Sequence, residues 1–233
     1  MNPFKLIYKY SLWGGGSRTG SIPKYNKSYI NFVNYLIEDQ KIKTILDIGC
    51  GDWQLGSQYD LDNTNYIGID VVDDIIKKNN NRYSKENISF QCINILDNDE
   101  ILDREYDLII IKDVMQHLSY KNVQEIINKI KNSNWKYLII VNDQNSLYFY
   151  DIPDGGYRAL NPKWVKDELG MKSINKFEYY EKKYLWIAGT ILVISALISV
   201  FKIGKEKGWI LLLITIILVT LSLPKKIGLL FKK

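Results

Sequence analysis

The chain has 233 residues, of which 46% are hydrophobic and 24% charged, and its formal net charge is +5. This composition excludes a globally disordered chain and provides enough apolar side chains for one α/β domain with a short addition. Residues 1–183 carry 24 basic and 25 acidic side chains, whereas residues 184–233 carry seven lysines and one glutamate. Because the positive charge lies only in the C-terminal part, we expect no nucleic-acid partner.

The two cysteines predict neither a disulfide nor a metal site. Cys50 and Cys92 each lie in or beside a predicted strand, and neither belongs to a pair with metal-ligand spacing. We therefore expect reduced thiols, a reducing compartment and no bound metal. The first ten residues are too polar for a secretory signal.

Five short apolar runs, separated by helical or turn segments, predict the strands of a parallel sheet. Each run is apolar on both faces, which is typical of strands that are covered by helices on both sides. The runs are Thr44–Ile48, Tyr66–Asp70, Ile88–Cys92, Asp107–Lys112 and Tyr137–Asn142. Helices are predicted between them, at Lys27–Asp39, Val71–Asn80 and Asn122–Asn132. This alternation predicts a doubly wound α/β sheet.

The C-terminal third has a different pattern. A short helix is predicted at Pro162–Gly170 and a strand at Ser173–Glu181, and two uncharged runs of 18 and 17 residues follow at 184–201 and 208–224. An 18-residue helix is about 27 Å long, close to the ~30 Å of a bilayer's hydrocarbon core. We therefore expect a transmembrane hairpin with helices at about 184–203 and 208–224, following a domain of residues 1–183.

Two alternatives for the hydrophobic part remain open. The two runs are also compatible with buried helices of a soluble protein. Lys183–Gly189 is also compatible with the last strand of the sheet, in which case the hairpin dips into one leaflet. More lysines flank the outer ends of the runs than lie in the turn between them, which predicts that both termini and the domain face the cytosol.

A strand that ends in a glycine-rich turn, Ile45–Trp53 (ILDIGCGDW), has the pattern of a ligand-binding loop. Asp70 follows Gly51 by 19 residues and is placed to accept hydrogen bonds from ribose hydroxyls. A dinucleotide fingerprint needs a third small residue where this chain has Gln54, and Asp52 would repel a pyrophosphate. The loop therefore favours a ligand with a cationic amino-acid end and disfavours a nucleotide-dependent reductase.

Three segments, LDIGCGDWQ, YIGIDVVDDII and DLIIIKDVMQHLS, closely resemble a family of class I S-adenosylmethionine-dependent methyltransferases. The resemblance carries the GCGDWQ and KDVxQH motifs and covers roughly residues 8–162, including WGGGSRTGS and DIPDGGYRAL. It implies a seven-stranded Rossmann-like sheet and S-adenosylmethionine as the cofactor. The hydrophobic hairpin is not part of this family pattern.

The resemblance also assigns cofactor contacts. Asp70 would bind the ribose diol, and Asn94 stands where the family tends to carry an aspartate near the adenine. The segment Trp13–Ser21 would form a lid over the cofactor. The full set of implied cofactor residues is Asp47, Gly49, Cys50, Gly51, Asp52, Trp53, Asp70, Asn94 and Asp113.

The end of the fourth strand would lie beside the reactive methyl group. His117, the single histidine, has the chemistry to take a proton from a hydroxyl or amine nucleophile, although a lone histidine is often structural. Gln116 and Asp113 would position the substrate or cofactor. Tyr157 and Arg158 would face the acceptor, where arginine suits a carboxylate or phosphate; the alternative is a surface turn.

These observations together predict a membrane-anchored methyltransferase. Because tethering raises the effective concentration of acceptors in the same bilayer, a lipid, a lipid-linked sugar or a membrane protein is the favoured acceptor. The alternative is a catalytically inactive scaffold that binds S-adenosylmethionine at a membrane. The sequence predicts neither the acceptor atom nor the oligomeric state.

Overall fold

The computed structural model describes residues 2–12, 17, 19–144, 150–171, 173, 175–179 and 225–233. The predicted membrane hairpin, the alternative strand Lys183–Gly189 and most of the predicted lid Trp13–Ser21 lie outside these residues. Within the described part, no helix is both long enough and apolar enough to cross a membrane. The chain divides into a unit of residues 1–179 and 226–233 and a second unit of residues 180–225.

The described strands form one sheet with the order β3–β2–β1–β4–β5–β7–β6. The strands from β1 to β5 pair in parallel, and β6 pairs with β7 in the antiparallel sense. Their bounds are β1 Thr44–Ile48, β2 Asn65–Asp70, β3 Ile88–Cys92, β4 Glu105–Lys112, β5 Asn134–Gln144, β6 Asn175–Tyr179 and β7 Lys225–Lys232. The five predicted parallel strands are therefore all present. Two have the predicted bounds, β2 and β4 begin one and two residues earlier, and β5 is longer by three residues before and two after.

Five α-helices accompany the described strands: α1 Pro3–Lys9, α2 Lys27–Asp39, α3 Asp73–Tyr83, α4 Tyr120–Asn132 and α5 Pro162–Leu169. Local chemistry explains several of their ends. The hydroxyl of Ser119 caps α4 by accepting the N–H of Asn122. Asn161 caps α5 in the same way, Pro162 begins that helix, and Gly170 ends it with a φ of 65°.

The core consists of two apolar clusters, because successive residues of each parallel strand point to opposite faces of the sheet. Ile109 and Ile111 of β4 pack in the cluster that holds α4 and α5. Leu108 and Ile110 pack in the other cluster, with α2 and Ile76 of α3. Helices thus cover both faces, and the predicted doubly wound α/β sheet is confirmed.

The strand β7 lies within residues 184–233, for which the sequence pattern predicts a separate hairpin. Tyr179 at the end of β6 pairs with Lys226 at the start of β7. After the end of β7, the N–H of Lys233 donates to the carbonyl of Lys136, near the start of β5, at 3.1 Å. β7 therefore runs antiparallel to β5, and the chain leaves and re-enters the sheet at the carboxyl edge of the parallel strands.

The sequence does not predict β7, because the apolar part of this strand, Ile227–Phe231, is only five residues long and is flanked by lysines. Such a run after a hydrophobic segment has the pattern of a basic tail. In the structure this run is a strand because its apolar side chains are buried: Leu229, Leu230 and Phe231 all pack in the two clusters. The sheet thus includes residues on both sides of the hydrophobic segment.

Candidate functional site

The loop after β1 makes a sharp turn that only glycine accommodates. Gly49 and Gly51 have φ values of +78° and +54°, in the left-handed region. A Cβ on Gly49 would overlap Val114, and one on Gly51 would overlap the hydroxyl of Ser17. The N–H of Gly49 donates to the carbonyl of Ile69 at 2.8 Å, which ties this loop to the end of β2.

Asp70, the last residue of β2, is only 9% exposed and closes the loop from the opposite side. One carboxylate oxygen accepts the N–H of Gly51 at 3.0 Å, and the other accepts the N–H of Val72 at 3.0 Å. Burial raises the pKa of this carboxyl to about 6, against the opposing effect of its backbone hydrogen bonds. The carboxylate is thus oriented by its own loop and has acceptor capacity left for a diol.

Asp47 lies one strand away, on β1, and is equally enclosed. The hydroxyl of Tyr66 donates to its carboxylate at 2.6 Å. Burial raises the pKa of Asp47 to about 6, while the hydrogen bond from Tyr66 and the charge of Lys112 lower it and the charge of Asp70 raises it. A ligand cation beside these carboxyls would favour their ionised forms.

Asp52 provides the test of whether the cofactor fits this loop. One of its oxygens accepts the N–H of Ser17 at 3.2 Å and the side-chain amide of Gln54 at 2.8 Å. Its other oxygen is buried and accepts no hydrogen bond within the described part of the chain. A buried carboxylate oxygen without a donor is a costly arrangement, which a ligand ammonium group would relieve. The amino-acid end of S-adenosylmethionine has this group.

Two residues that the resemblance assigned to the cofactor lie under the loop. Trp53 is buried and packs its indole among Tyr66, Tyr83 and Phe90, with ring centroids 4.9 to 5.4 Å away. The thiol of Cys50 packs over Gly68, where a Cβ would lie 2.9 Å from the sulfur. Trp53 is a buried member of the apolar cluster that contains α2, and Cys50 packs against that cluster as a partly buried residue.

Asn94 follows β3 and Asp113 follows β4, on opposite sides of the central pair β2 and β1. The amide of Asn94 is used locally, since its oxygen accepts the N–H of Leu96 at 3.2 Å and its nitrogen donates to Asp97 at 2.6 Å. Asp113 has a φ of +59° and forms an ion pair with Lys112, which also donates to the carbonyl of Gly20. Lys112 thereby ties the N-terminal segment to the end of β4.

His117 lies at the end of a short 3-10 helix, Met115–His117, that follows β4. Its Nδ1 lies 2.8 Å from the carbonyl oxygen of Gly156, and its Nε2 lies 3.4 Å from the amide nitrogen of Gln116. Because a carbonyl oxygen only accepts, Nδ1 carries the proton in the neutral ring and Nε2 carries the lone pair. The ring is 7% exposed and is oriented as a base through Nε2.

Asp143 near the end of β5 joins this group, although it was not among the predicted site residues. Its N–H donates to the amide oxygen of Gln116 at 2.7 Å, and its carboxylate accepts the hydroxyl of Tyr157 at 2.9 Å. The rings of His117 and Tyr157 lie 5.8 Å apart. The signal in the sequence was the polar pair Asn142–Asp143 after an apolar run, which is the position that Asp47 and Asp70 occupy in their own strands.

Arg158 is placed in the interior and not on an open surface. It is 1% exposed, donates through Nη1 to the carbonyl of Leu118, and stacks 4.0 Å above the ring of Tyr120. Its Nε and Nη2 have no hydrogen-bond partner within the described residues. In this conformation Arg158 holds the loop after β5 against the start of α4, because its long side chain fills the space between them.

The comparisons with known proteins agree with this geometry. Residues 46–133, which contain β1 to β4 and the loops between them, match the family model of a methyltransferase domain. The match supports the predicted S-adenosylmethionine-dependent methyltransferase, although the matched segment is less than half of the chain. S-adenosylmethionine is the cofactor of this class of domain, and the predicted cofactor is confirmed.

One curated relative is a ubiquinone biosynthesis O-methyltransferase of Hydrogenovibrio crunogenus, 22% identical over 144 residues. The match covers 60% of this chain and 59% of that protein. This chain thus matches less than two thirds of that relative's length.

Solved structures share the fold at low sequence identity. The N-methyltransferase NodS of Bradyrhizobium japonicum, in complex with S-adenosylhomocysteine, has a TM-score of 0.58 at 11% identity, covering 90% of this chain and 87% of that chain. A methyltransferase of Archaeoglobus fulgidus that depends on S-adenosylmethionine has a TM-score of 0.59 at 18% identity, covering 99% of both chains. The Rossmann-like methyltransferase fold therefore extends well beyond the matched domain.

No group of three or more potential metal ligands occurs within the described ranges.

Proposed function

We propose that this protein is an S-adenosylmethionine-dependent methyltransferase that transfers a methyl group to a hydroxyl or amine of an acceptor held in a membrane. The observation that carries the methyl-transfer part is that one edge of the sheet holds two sets of polar groups. Asp47, Asp52 and Asp70 surround the glycine loop, and His117, whose Nε2 is unprotonated in the neutral ring, follows the neighbouring strand β4.

Each side chain has a task in this proposal. S-adenosylmethionine supplies an electrophilic methyl group, so the protein needs to orient the acceptor and exclude water. Asp70 accepts from the ribose diol, while Asp52 and Asp47 stabilise the ammonium group. His117 takes the proton that a hydroxyl or amine loses, and Gln116 and Tyr157 orient His117 and the acceptor. The name of the Hydrogenovibrio relative, an O-methyltransferase, favours a hydroxyl acceptor.

The membrane part rests on the sequence of the segment between β6 and β7. It contains the two uncharged runs at 184–201 and 208–224, and the chain enters and leaves it at the paired residues Tyr179 and Lys226. Because the two ends of this segment are paired, they lie on the same side of a membrane, which is compatible with an even number of membrane crossings or with a re-entrant hairpin. Its ends lie at the carboxyl edge that also holds the candidate site. Lysines outside the runs favour the cytosolic side for both termini and the catalytic unit.

The first experiment is a calorimetric titration of S-adenosylhomocysteine into the full chain in detergent micelles. Truncation at residue 182 is unsuitable, because it removes β7 from the sheet. We expect micromolar binding that Asp70→Ala weakens at least a hundredfold, since two hydrogen bonds to a charged group are lost. Asp74→Ala, an exposed carboxylate on α3, is the matched control and should bind like the wild type. Equal binding by both variants would contradict the assigned site.

The second experiment tests the membrane part. We expect the full chain to remain with membranes in an alkaline carbonate wash and to label the membrane fraction with tritiated methyl groups. A double variant with Ile194→Lys and Ile214→Lys should be released by the wash, because one central lysine costs about 3 kcal/mol of insertion free energy. Release of the wild type, or label that enters only soluble material, would overturn the membrane assignment.

A further inference from the structure

The N-terminal helix α1 is attached to both halves of the candidate site. On the cofactor side, the amide of Asn2 donates to the carbonyl of Val71 at 2.9 Å, and Lys5 pairs with Asp73 at 3.0 Å. On the acceptor side, Gly155 packs so closely against Pro3 that a Cβ on Gly155 would lie 2.9 Å from it. The helix therefore spans the loops that follow β2 and β5.

Tyr8 extends from this helix over the glycine loop. Its hydroxyl lies 2.7 Å from the hydroxyl of Ser17, which accepts the N–H of Asp52 at 3.0 Å. A Cβ added to Gly51 would lie 3.3 Å from the Tyr8 hydroxyl oxygen. The hydroxyls of Ser17 and Tyr8 thus both stand above the turn where the sequence requires a glycine, and the Ser17 hydroxyl is the nearer of the two.

The surroundings of Tyr8 define what its hydroxyl can do. Burial raises the pKa of Tyr8, and the nearby charges of Asp70 and Asp52 raise it further, so the phenol stays protonated and able to donate. The three carboxylates at this loop are acceptors when ionised. A cofactor that also carries acceptor oxygens, in its ribose and its carboxylate, needs a donor there.

We propose that Tyr8 is a cofactor-binding residue whose hydroxyl donates a hydrogen bond to an oxygen of S-adenosylmethionine above Gly51. The inference rests on the cofactor site proposed above and extends it to a residue of the N-terminal helix. In this arrangement α1 contributes directly to cofactor affinity, and release of the cofactor requires Tyr8 to withdraw. The glycine at position 51 then serves two purposes, the left-handed turn and the space beneath the phenol.

The test is calorimetric titration of S-adenosylhomocysteine into the full chain carrying Tyr8→Phe. We expect about a tenfold loss of affinity, the usual effect of one hydrogen bond to a ligand. Tyr10→Phe, an exposed tyrosine at the end of the same helix, is the matched control and should change affinity less than about twofold. Wild-type affinity in Tyr8→Phe would overturn the inference.

A purely structural role of Tyr8, through its contact with Ser17, is separated by a double-mutant cycle. If Tyr8 acts only by holding Ser17, then Tyr8→Phe has no further effect once Ser17→Ala is present. If the phenol contacts the cofactor, Tyr8→Phe weakens binding about tenfold in the Ser17→Ala background as well. No added loss in the double variant would reject the proposal.

Titration of adenosine, and titration of the Asp70→Ala variant, distinguish the remaining possibilities. Adenosine has the ribose but lacks the carboxylate, so an equal loss for adenosine and S-adenosylhomocysteine assigns the bond to the ribose. A loss for S-adenosylhomocysteine alone assigns it to the amino-acid end, and both results support the proposal. Asp70→Ala separates the existence of the cofactor site from the role of Tyr8. If it abolishes binding while Tyr8→Phe leaves binding intact, the cofactor site stands and only the role of Tyr8 fails.

Discussion

The two halves of the candidate site are built in different ways. In the cofactor half, the loop after β1 is closed mainly by short-range turn geometry and by one neighbouring strand, through Asp70 and Gly51. In the acceptor half, His117 is oriented by Gly156, which lies 39 residues away in the sequence, and Gln116 by Asp143, 27 residues away. The turn of the first half is therefore mainly a local motif to which Ser17, 35 residues from Asp52, adds a distant contact, whereas the second half exists only when distant loops pack.

This difference determines how much each half tolerates change. A glycine turn with positive φ admits few sequences, so its function is recognisable from the residue types alone. The acceptor half relies on a backbone carbonyl and a backbone N–H as partners, and these leave no trace in the residue types. Proteins with the same cofactor loop can therefore differ in the residues that bind the acceptor. This agrees with the general observation that one fold supports many functions.

Substitution of His117 should produce the largest effect and should be confined to the acceptor half. In His117→Asn the side-chain amide retains a donor for the carbonyl of Gly156 but loses the lone pair of Nε2. We expect methyl transfer to the membrane fraction to fall about 10² to 10⁴-fold, the usual contribution of a general base. Titration of S-adenosylhomocysteine should give wild-type affinity. A parallel loss of cofactor affinity would show that the two halves are not independent.

Lowering the pH should have an effect of intermediate size, and this effect should be on the affinity of the cofactor half for its ligand. Burial raises the pKa of Asp47 and Asp70 to about 6. Since the ionised carboxylates accept the ligand's donors, we expect affinity for S-adenosylhomocysteine to fall about tenfold per protonated group between pH 7 and pH 5.

The stability of the free protein should respond to these two carboxyls in the opposite direction. Their folded-state pKa lies above the unfolded value, so the folded chain holds the proton more tightly. Their contribution to the free energy of unfolding therefore decreases as pH rises from about 4 through about 6. Denaturant titrations of the wild type and Asp70→Asn at several pH values give the free energy of unfolding of each, and their difference isolates the contribution of the Asp70 carboxyl. An equally steep pH profile in the variant would refute the assignment to Asp70.

The sequence predicted the sheet better than the site, for physical reasons. Buried parallel strands are continuous apolar runs, and Thr44–Ile48 and Ile88–Cys92 were predicted with the bounds that the structure shows. Within the site, Trp53 was assigned to the cofactor from its place in a motif. Packing against Tyr66 and Phe90 places it in the core, because position in a motif does not specify side-chain direction.

The parts that were missed depend on long-range contacts. The strand β7 is recognisable only by its partner β6, from which the 45 residues between Tyr179 and Lys225 separate it. The helix α1 is seven residues long, too short for its periodicity to be informative. Tyr8 therefore acquires a position above the glycine loop that no local pattern indicates.

The smallest expected effect tests how local the cofactor loop really is. Asn79 on α3 is 2% exposed, and its amide donates to the carbonyl of Gly51 at 2.7 Å. Asn79→Ala should lower the free energy of unfolding by about 1–3 kcal/mol, because the buried carbonyl loses its donor. Asn81→Ala, exposed on the same helix, gains the same helix propensity and serves as the matched control in chemical denaturation.

If both variants have the same free energy of unfolding, the glycine turn keeps its structure without the contact to α3, and the two halves of the site differ even more. If only Asn79→Ala is destabilised, the cofactor half also depends on a side chain 28 residues away. The glycine loop is then recognisable in the sequence because of its residue types, even though its structure depends on the rest of the fold.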